Sequence, residues 1–145
     1  GEMKDWRNEM QVLPIGKGKK LCDGDDIAVL SIGPIGNEVI KAIEMVKEEG
    51  VSIAHYDMIY LKPLDEELLH EIGQKYNRII TVENGVIKGG FGSAVLEFMA
   101  DNGYTPHVKR IGVPDAFIEH GSIPELYQLC GMDAESIAKQ LKKEN

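Results

Sequence analysis

A glycine-rich turn contains the first residues whose types and spacing could do chemistry. The turn consists of Gly89, Gly90, Gly92 and Ser93, and it separates a short apolar segment from a helix-like pattern. Backbone N–H groups at the start of a helix can hold a phosphate, because the helix dipole favours negative charge there. The spacing is not the dinucleotide fingerprint, and no P-loop lysine follows. The turn therefore predicts either an anion site or a close contact between a helix and a sheet.

Two polar residues, Glu83 and Asn84, lie where the preceding strand should end. Open α/β sheets bind ligands at the carboxyl ends of their strands. A carboxylate at Glu83 could act as a general acid or base, and it could equally cap a turn or pair at an interface. The Gly33–Gly36 turn after the first buried strand is expected to form the other side of such a crevice.

Histidine and cysteine residues give weaker signals. His120 lies in a loop beside Asp115, and polar loop residues are frequent functional groups, although a structural role is the alternative. No histidine is paired with another ligand at metal-binding spacing. Cys22 and Cys130 lie far apart without a CxxC motif, which favours two reduced thiols in a cytoplasmic protein. The sequence predicts no metal site and no catalytic constellation.

Composition excludes several classes of protein. The chain has 145 residues, 43% of them hydrophobic, and a formal net charge of −8. The negative charge argues against nucleic-acid and anionic-membrane surfaces, because both need an excess of basic residues. The chain contains no apolar run of the length that a membrane span needs and no signal-peptide pattern.

Hydrophobic patterning predicts an α/β fold. Short apolar segments predict strands at 19–22, 27–32, 51–58, 78–82 and 107–113, and amphipathic helical patterns lie between most of them. Asp65 is a plausible N-cap of one helix. Alternating strands and helices predict a mostly parallel sheet covered on both faces. Residues 1–18 read as a linker arm from a preceding domain, and residues 19–145 as one domain. Gly1 in place of an initiator suggests a piece of a longer protein.

Four segments together resemble a known family. They are Leu13–Gly18, Leu61–Asp65, Thr81–Gly85 together with Gly89–Ser93, and Ile111–Ile118. From about residue 12 onward the chain resembles the C-terminal domain of 1-deoxy-D-xylulose-5-phosphate synthase, a thiamine-diphosphate enzyme of the transketolase group. One departure lies at Asn84–Gly85, where the family pattern would have a further acid before the asparagine.

The resemblance implies a three-layer α/β/α fold with a five-stranded, mostly parallel sheet and one antiparallel edge strand at 19–22. The strands at 27–32 and 78–82 would be central neighbours. It also implies that two N-terminal domains, absent from this sequence, bind thiamine diphosphate and magnesium. This chain would then hold no cofactor or catalytic residue, would be inactive alone, and would contribute to a homodimer.

Two other functions remain open at this point. One is a free-standing regulatory module that binds a phosphate or another small molecule at the Gly89–Ser93 turn. The other is the C-terminal domain of a 2-oxoacid dehydrogenase β-subunit, because such subunits have similar glycine-rich turns.

Overall fold

Alternating strands and helices account for most of the described chain. The computed structural model describes residues 16–86, 89–113 and 127–142. The strands are β1 Lys19–Cys22, β2 Ile27–Ile32, β3 Ile53–Asp57, β4 Arg78–Val86 and β5 His107–Val113. The helices in the described parts are α1 Gly36–Met45, α2 Glu66–Lys75, α3 Phe91–Asp101 and α4 Ala134–Lys142.

The five strands form one sheet in the order β1-β3-β2-β4-β5. β1 is antiparallel to β3, and the other three pairs are parallel. The predicted antiparallel edge strand and the predicted central pair β2–β4 are therefore both confirmed. The chain leaves β2 toward β3 and leaves β4 toward β5, so the connections that follow the two central strands diverge at the carboxyl ends of these strands. That divergence places a topological switch point beside Ile32 and Glu83, which are paired in the register.

Helices cover both faces of the sheet, which gives the predicted three layers. Residues Ile27 to Ser31 of β2 are all buried, as expected for a strand between two helical layers. Ile27 and Val29 join the core under α1 and α4. Ala28 and Leu30 join the core under α2 and α3. No helix in the described parts of the chain is long and apolar enough to span a bilayer.

Strand β4 differs from its predicted bounds in a way that matters for the site. The sequence predicts an end at Val82, because Glu83, Asn84 and Gly85 resemble a turn. In the structure β4 continues to Val86, which pairs with Val113 after a register shift that begins at Val82. The irregularity lets the strand bend and still rejoin its neighbour.

The N-terminal end of the described chain lies against α2. The Gly18 N–H donates to Asp65 Oδ2 at 2.8 Å, and Lys17 Nζ lies 2.7 Å from Glu67 Oε1. Asp65 Oδ1 also accepts from the Leu68 N–H at 3.1 Å, which confirms the predicted N-cap of α2. Residues 1–15 lie outside the described residues, so the boundary between arm and domain stays a prediction.

Candidate functional site

Glu83 is the most constrained residue at the carboxyl edge of the sheet. Its side chain projects from β4 toward the start of α3 and is only 4% exposed. Oε1 accepts from the Phe91 N–H and Oε2 from the Gly92 N–H, each at 2.8 Å. Both carboxylate oxygens are therefore bound by backbone N–H groups that have no partner within the helix.

This contact explains how a charge can be buried at this place. Burial costs a carboxylate several kcal/mol of hydration free energy, and a buried charge that loses its partner destabilises a protein by ~3–5 kcal/mol. Two charge-assisted hydrogen bonds and the positive end of the helix dipole offset that loss. The N-cap position of α3 is Gly90, which has no side chain to do the capping. Glu83, which lies on strand β4, supplies the capping hydrogen bonds that Gly90 cannot provide.

Gly92 brings α3 unusually close to β4. A methyl group at Gly92 would lie 2.5 Å from Thr81 Oγ1 and 3.0 Å from Arg110 Cγ, which leaves no room for a side chain. Thr81 is fully buried, and its hydroxyl has no hydrogen-bond partner among the described residues. Glycine at this position therefore permits the approach that allows Glu83 to reach the helix.

Hydrogen bonds connect the outer side of the Gly89–Ser93 turn to β5. The Gly89 N–H donates to Ser93 Oγ at 3.1 Å, and Arg110 Nη1 donates to the same oxygen at 2.9 Å. Gly89 has a φ of 76°, a conformation that glycine adopts without strain. Ser93 thus links the turn to the neighbouring strand, and the cation of Arg110 lies beside the helix start.

Asn84 lies outside this buried cluster. It is exposed, and its Nδ2 donates to Tyr127 Oη at 2.7 Å. Its amide oxygen faces Gly33, where an added methyl group would lie 3.7 Å away. The structure therefore brings the Gly33–Gly36 turn and Asn84 together at the strand ends, as the sequence predicted. Tyr127 was not predicted, because nothing local relates two residues that are 43 positions apart.

The Gly33–Gly36 turn satisfies its own backbone groups. The Gly36 N–H donates to the Gly33 carbonyl and the Asn37 N–H to the Pro34 carbonyl, each at 3.0 Å. The N-cap position of α1 is Ile35, and no side chain in the described part of the chain caps this helix. The first N–H groups of α1 are therefore paired within the turn.

Ser31 and His55 form a buried polar pair on the opposite face of the sheet, and the sequence did not predict this pairing. Ser31 Oγ and His55 Nε2 lie 2.8 Å apart, and each side chain is 1% exposed. Burial lowers the pKa of His55 to about 4, which keeps the ring neutral at physiological pH. This pair has the atoms of a nucleophile and its base, but burial closes it to substrate.

The implied cofactor does not fit the described residues. Thiamine diphosphate is held through magnesium, and no group of three His, Cys, Asp or Glu side chains in residues 16–86, 89–113 and 127–142 could bind a metal ion. The N–H groups of Phe91 and Gly92 already bind Glu83. His120 lies outside the described residues, so its predicted role stays untested.

The three-layer α/β/α fold agrees with the protein family to which the sequence is similar. The family described as "Transketolase, C-terminal domain" matches residues 16–137. The chain belongs to this family. A solved structure described as "Split gene transketolase, inactive beta4 tetramer" superposes with a TM-score of 0.79 at 31% identity, covering 90% of this chain and 45% of that one.

Within this family, the chain is similar to two proteins that share one name. The chain is 99% identical over all 145 residues to a 1-deoxy-D-xylulose-5-phosphate synthase of Parabacteroides distasonis, and it spans 23% of that protein. It is 60% identical over 144 residues to the synthase of Azobacteroides pseudotrichonymphae, again spanning 23% of the relative and 99% of this chain. The chain therefore matches less than a quarter of the length of these relatives.

Proposed function

We propose that this chain is the C-terminal, structural domain of a thiamine-diphosphate-dependent 1-deoxy-D-xylulose-5-phosphate synthase. The whole enzyme would be a cytoplasmic transferase that condenses pyruvate with glyceraldehyde 3-phosphate and releases carbon dioxide. Its product would supply isoprenoid, terpenoid and thiamine biosynthesis. The observation that carries the proposal is the 99% identity along the full chain to one region of such a synthase.

The geometry of the sheet edge supports a structural role rather than a catalytic one. Glu83, the best candidate for a general acid or base, is 4% exposed and uses both oxygens on backbone N–H groups. A catalytic acid or base must reach the reacting group of a substrate. Glu83 instead holds α3 on the sheet and so maintains the shape of the edge.

The partners of the domain would be the remaining domains of the same enzyme and a second copy of the enzyme. Thiamine diphosphate and magnesium would be bound by those other domains, where the cofactor supplies the carbanion chemistry. At the strand ends, Gly33, Pro34 and Asn84 are exposed and are open to such a contact. Residues 1–18 would connect the domain to the preceding one.

An activity measurement tests whether this domain needs the other domains of the enzyme for catalysis. The 145-residue chain is incubated with thiamine diphosphate, magnesium, pyruvate and glyceraldehyde 3-phosphate, with the full-length Parabacteroides distasonis synthase as the positive control. We expect product from the full-length enzyme only. Turnover by the chain alone would show that it holds a catalytic centre and would overturn the proposal.

A measurement of assembly tests the contribution to a homodimer. The full-length synthase and a version that lacks this domain are compared by light scattering over a wide range of concentration. We expect the truncated protein to dissociate at higher concentrations than the intact one. Identical dissociation curves would contradict a role of this domain in the dimer.

A further inference from the structure

We propose that the Gly89–Ser93 turn is an anion-binding site whose resident anion is the Glu83 carboxylate, and that Glu83 closes the turn to free phosphate. The inference concerns only the folded chain and does not depend on the proposed enzyme. The ligand class is a tetrahedral oxyanion such as inorganic phosphate or a phosphate monoester.

The start of α3 meets the requirements of an anion site. α3 has 11 residues, so its dipole is developed, and its first turn contains no acidic residue of its own. The N–H groups of Phe91 and Gly92 point at one place, and an anion is already there, with both oxygens at 2.8 Å. A phosphate on a helix N-terminus is bound by backbone N–H groups in the same manner.

A second observation comes from the side chains that pack against Gly92, at the start of α3. The Thr81 hydroxyl is fully buried next to Gly92 and has no hydrogen-bond partner among the described residues. The Arg110 side chain packs against the same place, and its guanidinium is bound to Ser93. A buried hydroxyl and a cationic side chain thus lie beside the start of α3, and neither is hydrogen-bonded to Glu83 among the described residues.

The tethered carboxylate excludes a free anion for two reasons. It occupies the donors that phosphate would need, and its negative charge repels a second anion in the same space. Because Glu83 belongs to the same chain, it competes at a high effective concentration, which is in the millimolar range or above for such tethered groups. The glycine-rich turn is therefore a site that the chain itself keeps filled.

The test compares phosphate binding before and after removal of the carboxylate. Backbone amide NMR shifts of the 145-residue chain and of its Glu83→Ala variant are followed during titration with inorganic phosphate at constant ionic strength. We expect saturable shifts at Phe91 and Gly92 in the variant, with a dissociation constant in the millimolar range, and none in the original chain. Phosphate should also raise the melting temperature of the variant more than chloride does.

Two further variants keep the result interpretable. Asp65→Ala removes the other buried carboxylate at a helix start, so it controls for a general loss of negative charge and should leave the Phe91 and Gly92 amides unmoved. Glu83→Ser replaces Glu83→Ala in the titration if the alanine variant is too unstable to study. Saturable shifts at these amides in the original chain would refute the closure. A folded Glu83 variant whose Phe91 and Gly92 amides ignore phosphate would refute the anion site.

Discussion

Two helix starts on the same face of the sheet are capped by buried carboxylates, but in different ways. Asp65 lies three positions before Leu68, whose N–H it accepts, and its second oxygen binds the Gly18 N–H. Glu83 comes from strand β4 and reaches N–H groups eight and nine positions later. The α2 cap is thus a local motif with one added long-range bond, whereas the α3 cap exists only when helix and sheet are packed together.

The difference has an energetic consequence. A local cap can form whenever the helix forms, so its loss removes one or two hydrogen bonds from an otherwise intact contact. The α3 cap requires the close approach at Gly92, where the buried Thr81 hydroxyl has no hydrogen-bond partner within residues 16–86, 89–113 and 127–142. We therefore expect changes at the start of α3 to cost more stability than equivalent changes at the start of α2.

The largest effect is expected from Gly92→Ala. The added methyl group would lie 2.5 Å from Thr81 Oγ1, so α3 must move away from β4 and weaken both bonds to Glu83. We expect a loss of about 4 kcal/mol in the free energy of unfolding, measured by chemical denaturation. The control is the double variant with Thr81→Ala, which removes the nearest obstructing atom and should recover part of the loss. Additive losses in this double-mutant cycle would show that the close approach does not involve Thr81.

A direct comparison of the two caps is expected to give the next largest effect. Glu83→Ala leaves two buried N–H groups without partners and should cost about 3 kcal/mol. Asp65→Ala should cost about 2 kcal/mol, because water can reach the Gly18 side of that cap. Both losses would be measured by urea denaturation at neutral pH. An Asp65 variant that loses more stability than the Glu83 variant would break the proposed ranking of the two helix starts.

The pH dependence of stability probes a buried group on the face of the sheet opposite the two capped helix starts. Burial lowers the pKa of His55 to about 4 in the folded chain, against an ordinary value of 6.5. Between these two pH values the His55 ring is therefore protonated in the unfolded chain and neutral in the folded chain. The resulting stability is complete above pH 6.5 and is lost as the pH falls toward 4, by up to roughly 3 kcal/mol. Denaturation across this range should show the decline. It should be weaker in His55→Gln, and an equally steep decline in that variant would assign the acid sensitivity to other groups.

The smallest effect is expected at the exposed rim. Tyr127→Phe removes the acceptor of the 2.7 Å bond from Asn84 and should cost less than about 1 kcal/mol, because water can replace the lost partner. Thermal denaturation would measure the change. A loss as large as that of the Glu83 variant would mean that the exposed Asn84–Tyr127 contact stabilises this edge of the sheet as much as the buried carboxylate does.

Much of the fold could be predicted from the sequence, because the relevant signals are local. The bounds of β1, β2 and β5 follow from short apolar or β-branched segments between turn residues. The Asp65 cap was also predictable, since cap and partner are three residues apart. The extension of β4 to Val86 was not, because Asn84 and Gly85 look like a turn and only pairing with Val113 continues the strand.

The candidate site was only partly predictable. The sequence placed Glu83, Asn84 and the Gly89–Ser93 turn at one edge of the sheet, and the structure brings them to that edge. It could not decide whether Glu83 faces a ligand or the protein itself, and no catalytic role can be read from the spacing. His120 lies outside the described residues, so its role stays a prediction.

The amino-acid sequence by itself determined the alternation of strands and helices, because hydrophobic period and turn chemistry act over a few residues. It also determined the acidic surface and the presence of a glycine-rich helix start. Only the tertiary structure decided what that helix start binds. The Glu83 contact depends on strand register and on the distance between a helix and a sheet, and both are set by packing between distant parts of the chain.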